Sequence, residues 1–305
     1  MTSLFRRILP PLIGCMLLVA PVHAIEVTLV LSYKGGAHAL FAEALEASLG
    51  IGRHRLLDGG NLEEGLDEAQ VTRSALILAS GAAAVEAALR RTDRPILAVL
   101  LSRGQYLGLR RQYPDSALSA IVLDQPPARQ VALMLAVLPE SRRFGVLFGP
   151  DVIVQESEFL AVAAGAGLEL VGRRLSTADE LISALERTLD SVDALFALAD
   201  PLLSGSTAAR AVLLSSYRYR RPVFAHSRAF VDAGALAAVF STPADVARDV
   251  AEWLRDLPDG SPTLPAARAP RYFDIAINPQ VARALNLRVA DVVTVLARVR
   301  KETQP

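Results

Sequence analysis

Between residues 25 and 240 the chain alternates short apolar runs with stretches whose apolar residues recur every three or four positions. The runs at 25–31, 75–78, 95–101, 119–124, 144–148, 167–173, 194–198, 222–225 and 235–240 stop at polar or glycine turns such as Ser80-Gly81, Ser102-Arg103-Gly104 and Gly149-Pro150-Asp151. Residues 38–49, 82–90, 156–165, 178–189 and 206–217 carry the helical pattern, and a further helix is opened by Pro126-Pro127 and closed by Pro139. A strand that is apolar on both faces must be covered on both faces, and helices set between strands supply that cover. The expected class is α/β with parallel sheets.

The alternation runs through twice, with residues 119–124 between the two rounds and no long Gly/Ser linker. A chain of 305 residues, 52% of them hydrophobic, is large enough for two cores. Two lobes that share crossing segments fit this pattern, with crossings expected near 120–124, 239–243 and 273–277. In open α/β sheets ligands bind beyond the carboxyl ends of the strands. A cleft between the lobes is therefore the expected site.

Arg6-Arg7 precede an apolar run over 8–20, and Val22-His23-Ala24 offers the small residues that a signal peptidase reads. Residues 1–24 read as an export signal, with the mature chain starting at Ile25. The apolar run is too short for an ordinary transmembrane helix; the other reading is an N-terminal anchor. Cys15, the only cysteine, lies inside this run, so no intrachain disulfide can form. Leu12-Ile13-Gly14-Cys15 also resembles a lipobox, which would leave a lipidated Cys15 at the N-terminus. The apolar run continues through Met16-Leu17-Leu18-Val19, which favours the later cut.

Charge is balanced, with 32 basic and 32 acidic residues scattered along the chain, and this argues against a nucleic-acid partner. After cleavage His38, His54 and His226 remain, no two at metal-ligand spacing and with no cysteine to help. "YKGGAH" lacks the Gly-Lys-Ser/Thr ending of a phosphate loop. Asp200, His226 and a serine have the residue types of a triad, but no Gly-x-Ser-x-Gly elbow is present. Neither an enzymatic activity nor a cofactor is expected.

The segments "PPARQVALMLAVLPESRRFGVLFGP", "VDALFALADPLLSGS", "RRPVFAHSRAFVDAGALAAVFSTPADVARDVAEWL" and "RYFDIAINPQVARALNLRV" follow one another in an order and spacing that resembles the ABC transporter substrate-binding proteins of the type I periplasmic-binding fold. That family includes the tryptophan/tyrosine-type binding proteins. The resemblance spans about 95–300 and is looser before it; its most specific part is Tyr272, Ile277-Asn278 and the stretch from Ala282 to Leu287. Three departures stand out: "SYKGGAH" in place of a longer loop with a His-Pro pair, Asp200-Pro201 where Asp-Asn is common, and Val239-Phe240-Ser241-Thr242 in place of a Gly-Phe-Asp-Tyr type segment.

The resemblance implies two Rossmann-like lobes joined by a multi-segment hinge. Residues 25–120 plus 243–275 would form the N-terminal lobe, and 121–242 plus 276–305 the C-terminal lobe. It further implies a periplasmic monomer that captures a small-molecule solute and hands it to an ABC permease in the inner membrane. The same closure could instead serve a subunit that signals to a membrane receptor or sensor kinase, and gene neighbourhood would separate the two roles. A repressor of this fold would need a helix-turn-helix head where residues 1–24 stand.

The candidate ligand-binding residues are those that end strands beside the expected cleft. Ser32 and Tyr33 follow the first strand, next to Gly35-Gly36, where backbone can approach a ligand or simply turn. Ser80-Gly81 precedes a helix whose free N–H groups could receive a carboxylate or be capped locally, and Ser102 belongs to the polar stop after the run at 95–101. His226 and Ser227 end a strand of the second round. Asp200 either pairs with a ligand amine, as the resemblance implies, or starts the turn before the next helix. Together these suggest an amino-acid-like zwitterion, its carboxylate on the first lobe and its amine at an unpaired Asp200 on the second.

Overall fold

The computed structural model describes residues 25–49, 54–149, 153–200, 202, 205–258 and 262–303; the export-signal reading and Cys15 lie outside them. The first sheet holds β1 (Glu26–Leu31), β2 (Arg55–Asn61), β3 (Gly65–Leu66), β4 (Leu76–Ser80), β5 (Ile96–Val99) and β6 (Leu118–Ile121) in the order β3-β2-β1-β4-β5-β6. The second holds β7 (Arg143–Phe148), β8 (Glu169–Arg174), β9 (Ala194–Phe196), β10 (Val223–Ala225), β11 (Ala237–Phe240) and β12 (Asp274–Ile277) in the order β12-β11-β10-β9-β7-β8. Each sheet is parallel except at one edge, where β3 and β12 run antiparallel to their neighbours. The class is α/β with two lobes, as the alternation implies.

Helices α1 (Gly36–Leu49), α2 (Glu68–Arg73), α3 (Ala82–Leu89) and α4 (Arg103–Gln112) belong to the first lobe. Next come α5 (Pro127–Val137), α6 (Ile153–Gly165), α7 (Leu181–Leu189), α8 (Ser206–Arg218) and α9 (Arg228–Asp232). The last three are α10 (Pro243–Arg255), α11 (Pro279–Ala284) and α12 (Val292–Thr303). The apolar strands are buried on both faces, as expected: every residue of β4, from Leu76 to Ser80, is buried. One face packs Phe41 and Leu45 of α1, and the other packs Val85 and Ala88 of α3.

α10 follows the second lobe's β11 in the chain, yet its Val246, Val250 and Leu254 pack with Val27, Leu78 and Leu97 of the first sheet. Its start is fixed by a capping box, with the Thr242 side chain accepting from the Asp245 N–H and Asp245 accepting from the Thr242 N–H. The chain then returns to the second lobe as β12. Residues 274 and 275, expected in the first lobe, pair instead with Phe240 and Val239 of β11. The last crossing thus precedes Asp274 and does not run through 277, because the antiparallel ladder captures the strand from its first residue.

Candidate functional site

The chain passes between the lobes three times: between β6 and α5, between β11 and α10, and between Arg268 and β12. Before the last passage, Arg268 extends the first sheet, bridged to Ile121. The three passages are tied together by side chains. Gln125 Nε2 donates to Ser241 Oγ (2.9 Å), and Ser241 Oγ donates to the Tyr272 carbonyl (2.6 Å). Gln125 Oε1 accepts from Arg129 Nη1 (2.9 Å), which also donates to the Pro270 carbonyl (2.7 Å). The Arg129 guanidinium lies 4.2 Å over the Phe273 ring, so its charge is shared among carbonyls and an aromatic face in a buried place.

Beside this knot opens a cleft of about 620 Å³, with walls from both lobes and from two of the passages. Its apolar surface comes from Leu100, Leu101, Leu123, Leu198 and Phe240. The polar groups include Ser102 from the first lobe, His226 and Ser227 from the second, and Asp124 on the passage between them. Leu100 has a φ of 51°, a left-handed conformation that is costly for a branched side chain. It turns the chain out of β5 so that Ser102 caps α4, accepting from the Gln105 N–H at 3.2 Å.

Asp124 Oδ2 accepts from the Arg103 N–H, which anchors the carboxylate at the mouth of α4. His226 Nδ1 lies 3.3 Å from the Ala197 carbonyl, and since a carbonyl can only accept, the ring donates there. Burial pushes the His226 pKa below its ordinary value, against the smaller opposing pull of the Ala197 carbonyl and the Asp124 carboxylate. The imidazole is therefore neutral at pH 7. Among the described residues no group of three His, Cys, Asp or Glu side chains converges to hold a metal.

Of the sequence candidates, Ser102, His226 and Ser227 come together in this cleft. Those of the first lobe other than Ser102 gather at that lobe's own turn. Ser32 is buried and its Oγ accepts from the Ala84 N–H (3.0 Å), while Ser80 Oγ is bonded to His38 Nδ1 (2.8 Å). Gly81 has a φ of 90°, and a Cβ there would lie 2.5 Å from Ser32 Oγ and 2.7 Å from His38 Cε1. Tyr33 is exposed, with its ring 5.6 Å from that of His38.

Asp200 is a correction. It is 1% exposed, and its carboxylate is not unpaired: Oδ2 accepts from the Gly149 N–H (3.0 Å) and Oδ1 from the Leu202 N–H (2.7 Å). It stitches the ends of β7 and β9, at the point where the strand order of the second sheet reverses. Asp124 and Gln125, cleft residues that are not among the sequence candidates, are the last residue of "SAIVLD" and the one after it. The signal was available, a carboxylate closing an apolar run just ahead of a Pro-opened helix, but it reads equally as a strand stop.

Two α/β lobes, three passages and a cleft at the knot define a bilobed solute-binding protein. The chain belongs to the ABC transporter substrate-binding protein family, whose model matches residues 120–301. No curated relative matches the chain. Among solved structures it is similar to the ligand-free, open form of a substrate-binding protein with adhesive properties from Clostridium difficile, at 18% identity and a TM-score of 0.68, covering 88% of this chain and 97% of that one. It is also similar to an ABC domain in complex with L-Trp from Streptococcus pneumoniae, at 18% identity and a TM-score of 0.57, covering 90% and 98%. A conserved domain protein from Vibrio cholerae aligns at 18% identity and a TM-score of 0.59, covering 90% and 98%. At these identities the likeness is one of fold.

Proposed function

We propose that the protein captures a small solute between its lobes in the periplasm and delivers it, as a monomer, to an ABC permease of the inner membrane. The observation that carries this reading is the cleft of about 620 Å³ lined from both lobes and from the passages that join them. A solute held there touches both walls. Its contacts with the far wall exist only when the lobes close, so its binding energy favours the closed form over the open one. The knot of Gln125, Arg129 and Ser241 holds the passages in register while the lobes rotate about them. The periplasmic location rests on the reading of residues 1–24, and the permease as partner on the family to which the chain belongs.

Native mass spectrometry of protein taken from its own periplasm should reveal a bound solute. Stripping and restoring that solute should change the radius of gyration measured by X-ray scattering. Protein that carries no solute, together with a scattering profile that no solute alters, would overturn the proposal.

A further inference from the structure

With Asp200 engaged by backbone amides, the amine partner expected there is lost, and the charge balance of the cleft has to be taken afresh. Asp124 lines the cleft and is half-buried, with Oδ2 held by the Arg103 N–H. The ion pairs among the described residues leave its carboxylate without a cationic partner. The other charged side chain on the lining is Arg228, which is exposed at the start of α9 and lies 3.8 Å from Asp232 one turn on. His226, across the cleft, is neutral, because burial disfavours its charged form.

Closing the lobes over this arrangement strips water from Asp124 beside the apolar side chains of Leu100, Leu101, Leu123, Leu198 and Phe240. A carboxylate desolvated without a cation is costly, and a hydroxyl compensates it less well than a protonated amine does. Closure on an empty cleft, on an anion or on an uncharged sugar leaves that cost in place. Closure on an amine removes it.

Resting on the binding-protein reading above, we infer that Asp124 selects the solute: the cleft takes a small molecule with an apolar body and a protonated amine, the amine pairing with Asp124 on the passage between the lobes. The carboxylate thus works both as recognition group and as a bar to closure on the wrong cargo. The body of the molecule lies against Leu101, Leu123 and Phe240.

Calorimetry on the full mature chain tests this with four sets of compounds: α-amino acids with apolar side chains, the amines left by their decarboxylation, the acids left by their deamination, and neutral pentoses and hexoses. Compounds with a protonated amine should bind, and Asp124→Asn should weaken them about 10- to 100-fold. The same variant should leave the weak binding of the amine-free compounds unchanged or tighter. Asparagine keeps an acceptor for the Arg103 N–H, so the fold is preserved, and the ratio of affinities for an amine and its amine-free analogue separates selection from mere loss of structure. The inference falls if the tightest binder lacks a cationic nitrogen, or if Asp124→Asn weakens amine and amine-free compounds alike. If no compound binds and no solute co-purifies, the binding-protein reading falls first and the inference with it.

Discussion

Asp249 on α10 is fully buried and accepts four hydrogen bonds from the passage that follows it. Arg268 reaches it with Nη1 (2.6 Å) and Nη2 (2.7 Å), and Arg271 with its backbone N–H (2.7 Å) and Nε (2.6 Å). Asp249→Asn removes the charge and turns an amide N–H toward two guanidinium groups. Breaking a buried pair by removing one partner costs about 3–5 kcal/mol. Here Arg268 and Arg271 keep 30% and 47% of their side-chain exposure, so water recovers part of the loss, and about 2–4 kcal/mol is expected. For a protein of this size that lowers Tm by about 3–7 °C.

The pH dependence supplies a second check. Burial works to raise the Asp249 pKa, but Arg268 and the N–H and guanidinium of Arg271 outweigh it, and the carboxyl is held below its ordinary value. A carboxyl lowered on folding contributes stability above its unfolded pKa of about 3.9 and loses it as pH falls through the folded value. The gap between wild type and Asp249→Asn in urea unfolding should therefore be constant from pH 8 to about 5 and shrink below about pH 4. A cost under about 1 kcal/mol at pH 7, or a gap undiminished at pH 2, would refute the reasoning.

Asp200→Ala strips acceptors from the Gly149 and Leu202 N–H groups and should destabilise the protein by about 1–3 kcal/mol in urea unfolding; a loss of solute affinity with stability intact would restore it to the binding site. Gly81→Ala forces a Cβ toward Ser32 and His38 at a φ of 90° and should cost about 1–3 kcal/mol, so a melting temperature equal to wild type would show that this turn is looser than its contacts imply. His226 and His38 both have pKa values lowered by burial. Each contributes stability above the unfolded value of about 6.5 that is lost as pH falls through the folded one; NMR titration giving either a native pKa at or above 6.5 contradicts this.

The parts of this molecule legible in its sequence are those set by local burial. β4 and β7 are continuous apolar runs between turn residues, and they stand where the pattern puts them. β2 escaped notice because "RLLDGGN" has no such run. It is a strand by virtue of its pairing with β1, and Gly59 is packed so closely against Thr28 and Leu29 that the position has no room for a side chain. α4 escaped for the opposite reason: "RGQYLGLRRQ" is polar on most of its surface, and only Leu109 is buried.

The site divides along the same line. Ser102, His226 and Ser227 line the cleft because they follow strand ends, which in an open α/β sheet point to the side where ligands bind. Asp200 was misread because the partner that occupies it, the Gly149 N–H, is 51 positions away in the chain. No local pattern reports such a contact. Asp124 has the opposite character: the sequence marks it as a strand end, and only the convergence of three passages gives it a cleft to face.

The crossing of α10 into the first lobe also bears on how the chain can be cut. A fragment ending at residue 242 would contain the whole first sheet yet leave Val27, Leu78 and Leu97 bare where Val246, Val250 and Leu254 belong. The same fragment would lack β12 along the open edge of β11 and α12 over the second core, where Val295 and Val299 are buried. Neither half is a module that a single break could release or a single fusion could transplant. As the protein threads out of a ribosome or a membrane pore, both cores wait for the last quarter of the chain, and until then each exposes apolar surface that invites aggregation. Interleaving that gives the cleft its hinge thus makes the two lobes one unit of synthesis and of inheritance.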